Sequence, residues 1–213
     1  MTIEKKDSNV NGYNETKKKI IDVATRNFAI KGYTATSMRD IANEINIKMA
    51  SLYYYYDSKE SLLEEILTNF MNEYSEYFKW LSEANSKAET LEEVIDNIFS
   101  EEFIRMLNPK GSMGMAIAMK EQFTNEMANS CICELFYKQS IENIKNDFDR
   151  LIRKGVIPPS DTRTIAMLFV FSVMISNGIR VQEFMGSQPQ MGCTDIYVCL
   201  KKYLTSALKQ GGQ

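Results

Sequence analysis

The 213-residue chain contains no histidine. Ser-His-Asp and Cys-His nucleophilic constellations and His-ligated metal centres are thereby excluded. Neither G-x-G-x-x-G nor G-x-x-x-x-G-K-[ST] occurs, so the common phosphate-cradling loops are absent too. Glycine and proline are scarce, at 10 and 4. So few turn residues over this length favour long helices over many short strands. There is no internal repeat in the solenoid range. The longest apolar run, residues 165–175, is interrupted by Ser172 and falls well short of the roughly 20 residues of a membrane span. The opening MTIEKKDSNVNGYNE is polar and lacks the apolar stretch of a signal peptide. The expectation is a cytoplasmic protein with no membrane partner and a flexible arm over residues 1–14.

Cysteine is sparse and unpatterned. Cys131, Cys133, Cys193 and Cys199 form no CxxC pair, so no metal or other cofactor is expected and the thiols read as reduced. Carboxylates such as Glu101, Glu102 and Glu121 could in principle do acid–base chemistry, but they are more simply a solvated helix surface, and no enzyme is expected. Net charge is −3. Its distribution says more: residues 1–60 hold 10 Lys/Arg and 8 Asp/Glu, while the remainder holds 15 and 20. A mildly basic N-terminal part precedes an acidic one, which supports nucleic-acid binding at that end without establishing it.

What is present is helical periodicity throughout. Ile20, Ile21, Ala24 and Phe28 recur at helical spacing, and Gly32 follows where a helix end wants glycine. Thr36 and Ser37 are N-cap candidates for a short helix carrying Met38, Ile41, Ala42 and Ile45. Asn46 suits a left-handed turn before another short segment ending near Tyr56. Two short helices joined by a tight turn form a helix-turn-helix. Asp57 and Glu60 have capping-box spacing and open a long helix. Thr90 caps a segment through Phe103, Asn108-Pro109 breaks it, and a Met-rich stretch runs from Met113 to Met127. Ser160 or Asp161 caps an apolar helix to about Phe184, residues 186–192 form a loop, and a last helix follows. The fold class is all-α with about nine helices. The predicted organisation is a helix-turn-helix DNA-binding domain over residues 15–62 and a helical domain over residues 63–213.

The segments Gly32-Tyr33-Thr34-Ala35-Thr36-Ser37-Met38-Arg39-Asp40-Ile41-Ala42, Asn46-Ile47 and Ser51-Leu52-Tyr53-Tyr54-Tyr55-Tyr56-Asp57-Ser58-Lys59-Glu60-Ser61-Leu62-Leu63 together resemble the TetR (tetracycline-repressor) family of transcriptional regulators. The likeness covers about residues 15–65 and keeps its spacing across three helix boundaries. It implies a three-helix DNA-binding domain followed by a helical domain that binds an effector and dimerises. Four positions depart from the family pattern. Met49 stands where Lys or Arg is frequent, Lys48 replaces a usual Ser, Asn46 a usual Gly, and Tyr56 a usual Phe. These departures bear on which operator is read.

The tyrosine run resolves by direction. With Leu52 inward and 100° per residue, Tyr56 also points inward, Ala50 and Tyr54 point outward with Ser51 and Tyr53 beside them, and Tyr55 sits at the rim. A small Ala50 lets the backbone approach a major-groove floor, and tyrosine hydroxyls can donate to phosphates. The resemblance implies DNA contacts at Thr36, Ser37, Lys48, Met49, Ala50, Ser51, Tyr53, Tyr54, Tyr55 and Lys59. Thr36 and Lys59 are the expected phosphate clamps, and Lys48, Met49, Ser51 and Tyr53 the expected base readers. For the C-terminal domain, a largely apolar small-molecule effector is expected against Tyr74, Phe78, Phe99, Phe103, Met119, Phe123, Met167 and Phe171. A homodimer interface is expected at Phe169, Val173, Ser176, Arg180, Tyr197, Leu200 and Leu204. The implied function is repression from a palindromic double-stranded DNA operator, released by that effector through the helix starting at Ser58. The alternative is an adaptor of the same fold controlled by a protein partner or by thiol oxidation.

Overall fold

The computed structural model describes residues 4–187 and 192–210, so part of the expected 186–192 loop and residues 1–3 of the expected arm lie outside the described residues. Among the described residues every regular element is helical: α1 (Glu4–Lys31), α2 (Met38–Glu44), α3 (Met49–Tyr55), α4 (Lys59–Lys87), α5 (Leu91–Ile98), α6 (Glu101–Met106), α7 (Pro109–Glu121), α8 (Glu126–Ser130), a π-helical segment (Cys131–Ser140), α9 (Ile141–Arg153), α10 (Thr162–Phe184) and α11 (Cys193–Gln210). The chain divides into two units, one ending at Asn69 and the other beginning at Phe70. The boundary falls inside α4, later than expected, because Leu62, Leu63, Ile66 and Leu67 are buried and belong to the first unit.

In the first unit, α1 buries Ile20, Ala24 and Phe28. It starts at Glu4 and so takes in residues 4–14 of the expected arm. Polar sequence gave no apolar stripe to read there, but Tyr13 supplies a packing partner, with its ring 4.8 Å from that of Tyr55. Gly32, at φ +97°, ends the helix, and its amide donates to Phe28 O at 3.1 Å. Ser37 and Asp40 form a reciprocal capping box that starts α2. Among the described residues Asn46, at φ 57°, is the one non-glycine with positive φ, and it turns the chain from α2 into α3. Arg26 and Asn27 of α1 both hold Glu44 of α2, the latter at 2.8 Å. The cap of α4 is not the Asp57–Glu60 pair but Ser58 with Ser61, whose amide donates to Ser58 Oγ at 3.0 Å.

In the second unit, the segment read as one helix after Thr90 is two. Phe99 leaves helical geometry and the Ser100 hydroxyl starts α6 by accepting from the Phe103 amide. Asn108 caps α7 with Pro109 in the first turn, where the missing N–H costs nothing. At Gly114 an added Cβ would lie 2.9 Å from the Phe70 ring, so α7 and α4 approach each other more closely than a side chain allows. The core is aromatic: Tyr74 packs on Phe136 with ring centroids 4.6 Å apart, Phe103 on Tyr197 at 5.4 Å, and Phe99 on Phe169 at 5.6 Å. One polar knot interrupts it. Asn85 donates to Asp147 and accepts from Asn97, and Arg150 donates to Ala88 O. Asp161 caps α10. That helix is long and apolar enough to cross a membrane by composition, with mean hydropathy 1.7, but half of the apolar stretch is buried inside the protein, as in the core helix of a globular domain.

Candidate nucleic-acid interface

The recognition element follows from the way α3 is seated. Leu52 is fully buried and anchors it. Tyr56 is also buried, at 4% exposure, but it is no longer helical: its φ of −142° marks the first extended residue after α3. Its hydroxyl makes no hydrogen bond of good geometry, although the Glu65 carboxylate is close enough to interact with it. Burial, then the nearby Glu65 carboxylate, push that phenol far above its ordinary range, so it stays protonated. Lys17 and Glu65 pair above it at 2.9 Å, with the Lys17 ammonium 5.7 Å from the Tyr56 ring centroid.

The opposite face of α3 is open. Lys48, Ala50, Ser51, Tyr53 and Tyr54 are exposed, Tyr54 at 73%, while Met49 and Tyr55 are half-buried. Seven neighbouring sequence-predicted positions thus lie together on or beside one short helix. A small residue at its centre, a hydroxyl on either side and one lysine at its start give a narrow surface that can enter a major groove and donate to phosphates.

Three expected contacts are placed elsewhere. Thr36 is 1% exposed and its hydroxyl donates to Gly32 O at 2.9 Å, fastening the α1–α2 turn. The Ser37 hydroxyl donates to the Asp40 carboxylate at 2.6 Å in the capping box. Lys59 turns inward: its Nζ donates to Tyr33 O at 2.8 Å and Thr36 O at 2.9 Å and lies 4.1 Å from the Tyr33 ring centroid. These side chains build the turn before α2 and are not presented as phosphate clamps. The physical reason is that the carbonyls of Gly32, Tyr33 and Thr36 in the turn between α1 and α2 accept hydrogen bonds, and Thr36 and Lys59 are donors within reach.

Two residues were missed. Arg39 is exposed in the first turn of α2 and belongs to no ion pair among the described residues; its place in the motif was visible, its freedom was not. Tyr13 of α1 packs edge-on to Tyr54 with centroids 5.9 Å apart and tilted on Tyr55 at 4.8 Å. Tyr54 and Tyr55 also meet edge-on at 5.4 Å. The three rings brace one another, and no spacing rule links residue 13 to residue 54.

In the second unit the expected effector-lining residues scatter. Tyr74, Phe78 and Phe103 are buried among other rings. Phe99, Met119 and Met167 are half-buried. Phe123 is 87% exposed, in the turn after α7, and Phe171 is exposed and packs edge-on to Tyr137. A cleft of about 610 Å³ lies elsewhere, between α4 and α6. The expected dimer residues Phe169, Val173, Ser176, Tyr197 and Leu204 are buried inside the unit, with Ser176 Oγ 2.9 Å from Tyr197 Oη; Arg180 and Leu200 are half-buried. Side chains already packed internally offer no face to a second copy. The large apolar side chains that the middle of α10 leaves exposed are Leu168, Phe171 and Ile175, on a different side of a helix that is apolar nearly all round. Of the thiols, Cys133 and Cys199 are exposed, whereas burial pushes Cys131 up to about 11, away from the reactive thiolate.

Residues 20–66 match the family described as bacterial regulatory proteins, tetR family. A 61-residue stretch is 44% identical to the biofilm operon icaADBC HTH-type negative transcriptional regulator IcaR of Staphylococcus epidermidis, covering 29% of this chain and 33% of that protein. The IcaR of Staphylococcus aureus is 55% identical over 49 residues, 23% of this chain and 26% of that protein. The chain therefore matches about a quarter to a third of the length of these curated relatives. Over nearly the whole length, the ketosteroid transcriptional regulator KstR2 of Mycobacterium tuberculosis has the same fold, with a TM-score of 0.65 at 20% identity, covering 91% of this chain and 93% of that one.

Proposed function

Because residues 20–66 match the tetR family of bacterial regulatory proteins, we propose that the chain is a DNA-binding repressor that reads a palindromic operator as a homodimer and is released by a small molecule held in its second unit. The observation that carries this reading is the face of α3 on which Lys48, Ala50, Ser51, Tyr53 and Tyr54 stand exposed together. Ser51 and Tyr53 read base edges and thymine methyls, while Lys48, Tyr54 and Arg39 hold phosphates. Tyr13 keeps Tyr54 and Tyr55 in place. Leu168, Phe171 and Ile175 of α10 form the seam of an isologous dimer, which sets two recognition helices about 34–36 Å apart, one turn of DNA. The effector acts through α4, whose first turn holds the α1–α2 turn by way of Lys59. The negative regulators among the relatives favour repression over activation.

The test is fluorescence anisotropy with duplexes from the DNA flanking the gene. A palindrome-dependent affinity that falls steeply with salt is expected, and Tyr53→Ala should weaken it by about tenfold or more, the worth of one good base contact. Unchanged affinity in Tyr53→Ala would remove α3 from the reading role.

A further inference from the structure

Within the second unit, Glu73, Glu76, Tyr77 and Trp80 of α4 recur at i, i+3, i+4 and i+7 and so share one helix face. They form one wall of the cleft of about 610 Å³; Glu102, Arg105 and Met106 of α6 form the other. That volume accommodates a molecule of ordinary ligand size. The back of the cleft is apolar. The Tyr77 ring is buried, with its hydroxyl spent on Ile98 O at 3.0 Å, and it stacks on Trp80 with ring centroids 6.3 Å apart and 26° between planes. Met106 is buried beside them and the Trp80 indole is half-exposed.

The rim is negative. Glu73 and Glu76 are exposed and, among the described residues, neither is in an ion pair. Among the described residues Glu102 forms one ion pair, with Arg105 at 3.7 Å, and that arginine is largely solvated. Three carboxylates therefore ring an aromatic floor with a single, loosely held guanidinium, Arg105, beside Glu102 on α6. An anion would be repelled. A bare metal ion finds no converging set, since no group of three or more Cys, Asp or Glu side chains among the described residues could hold one. A diffuse positive charge on an apolar body satisfies both the rim and the floor, because tryptophan is the strongest cation–π face and carboxylates spread around a mouth stabilise a charge without stripping its ligand to the ion.

We propose that the cleft between α4 and α6 binds a monovalent organic cation with an aromatic or apolar body. As a cue for DNA release this rests on the effector reading above; as a binding site it is tested separately. Trp80 is the only tryptophan in the chain, so its fluorescence reports this cleft alone.

The experiment titrates the full chain with tetraphenylphosphonium. Two partners of similar shape serve as controls: tetraphenylborate, of opposite charge, and triphenylphosphine oxide, which is neutral. Saturable quenching or shift of the Trp80 emission by the phosphonium, with no saturable response to the borate, is expected. The double substitution Glu73→Gln and Glu76→Gln should weaken phosphonium binding about tenfold, and Arg105→Gln should strengthen it by a few-fold. Opposite signs from exposed positions on facing walls are not produced by loss of fold.

Equal binding of all three probes would overturn the proposal, since the cleft would then be only an apolar surface. So would the absence of saturation by both fluorescence and calorimetry, or preference for a lysine-rich peptide over the phosphonium. Operator affinity is measured in the same samples. Phosphonium binding without DNA release keeps the cation site and removes this ligand class as the effector; lack of operator binding by the ligand-free chain would fail the repressor reading while leaving the cleft result intact.

Discussion

In the first unit polar side chains fasten backbone to backbone; in the second, rings pack on rings. The turn before α2 is held by Thr36 on Gly32 O and by Lys59 on two carbonyls, and α2 is tied to α1 by Glu44. Each of these bonds has direction, so the short helix α3 is presented in one geometry. The core of the second unit depends on Tyr74, Phe78, Phe103, Phe136 and Phe169, whose contacts have large area and weaker directional demands. A surface that must match base edges needs the first kind of construction. A unit that, as proposed, responds to a ligand tolerates the second.

The comparison can be broken at its tightest apolar point first. Gly114→Val forces a side chain against Phe70 and should cost about 1–3 kcal/mol, the usual penalty of overpacking, read as a lower denaturant midpoint in the transition of the second unit. Next is the polar side. Lys59→Met leaves the Tyr33 and Thr36 carbonyls without their charged donor and should cost about 2 kcal/mol. The salt dependence of operator binding should stay as in the parent, whereas a phosphate contact would lower the slope by about one.

A smaller effect comes from Asp147, the charged exception in the aromatic unit. Burial pushes its carboxyl up to about 6 from 3.8, against the Asn85 hydrogen bond and the Arg150 charge that lower it. As pH rises from 3.8 to about 6, the unfolded chain releases a proton that the folded chain keeps. The stability this group contributes is complete below that window and is lost across it. Asp147→Asn should remove the slope and gain about 1 kcal/mol at pH 7, less than the full linkage value because the carboxyl is part-exposed; urea midpoints at pH 4 and pH 7 measure it. Smallest is Tyr56→Phe. The hydroxyl is buried without a hydrogen bond of good geometry, so its removal should change stability by less than about 1 kcal/mol, in the stabilising direction, with operator affinity unchanged. A large loss would mean that the hydroxyl is used.

The helix-turn-helix was legible because its signals are local: Gly32 at a helix end, Ser37 with Asp40, Asn46 in a left-handed turn, and Leu52 as an inward anchor. The directions of Tyr53, Tyr54 and Tyr55 followed from the helical step, whereas Tyr56 is buried as an extended residue. What could not be read was which backbone and ring partners the side chains meet. Thr36 and Lys59 look like phosphate ligands until the carbonyls they satisfy are located, and Tyr13 looks like part of a loose arm until it meets Tyr54. The second unit was harder to read for a different reason. Its helices are apolar on several sides, so periodicity identifies them without saying which face is covered. Phe123 and Phe169 have the same hydropathy, yet one lies in solvent and the other in the core. The cleft residues Glu73, Glu76 and Trp80 were hidden in an ordinary amphipathic pattern, because nothing in that pattern indicates that α6 stops short of covering them.

The two units meet in mid-helix, with Asn69 and Phe70 as consecutive residues of α4. A recombination joint placed there has no slack. Inserting or deleting one residue there shifts the register of the rest of α4 by about 100° and 1.5 Å, so, on the proposed function, exchanges of either unit are expected to work best in helical register. Chimaeras that add or remove a multiple of roughly seven residues, two near-complete turns, should be the first to retain both activities.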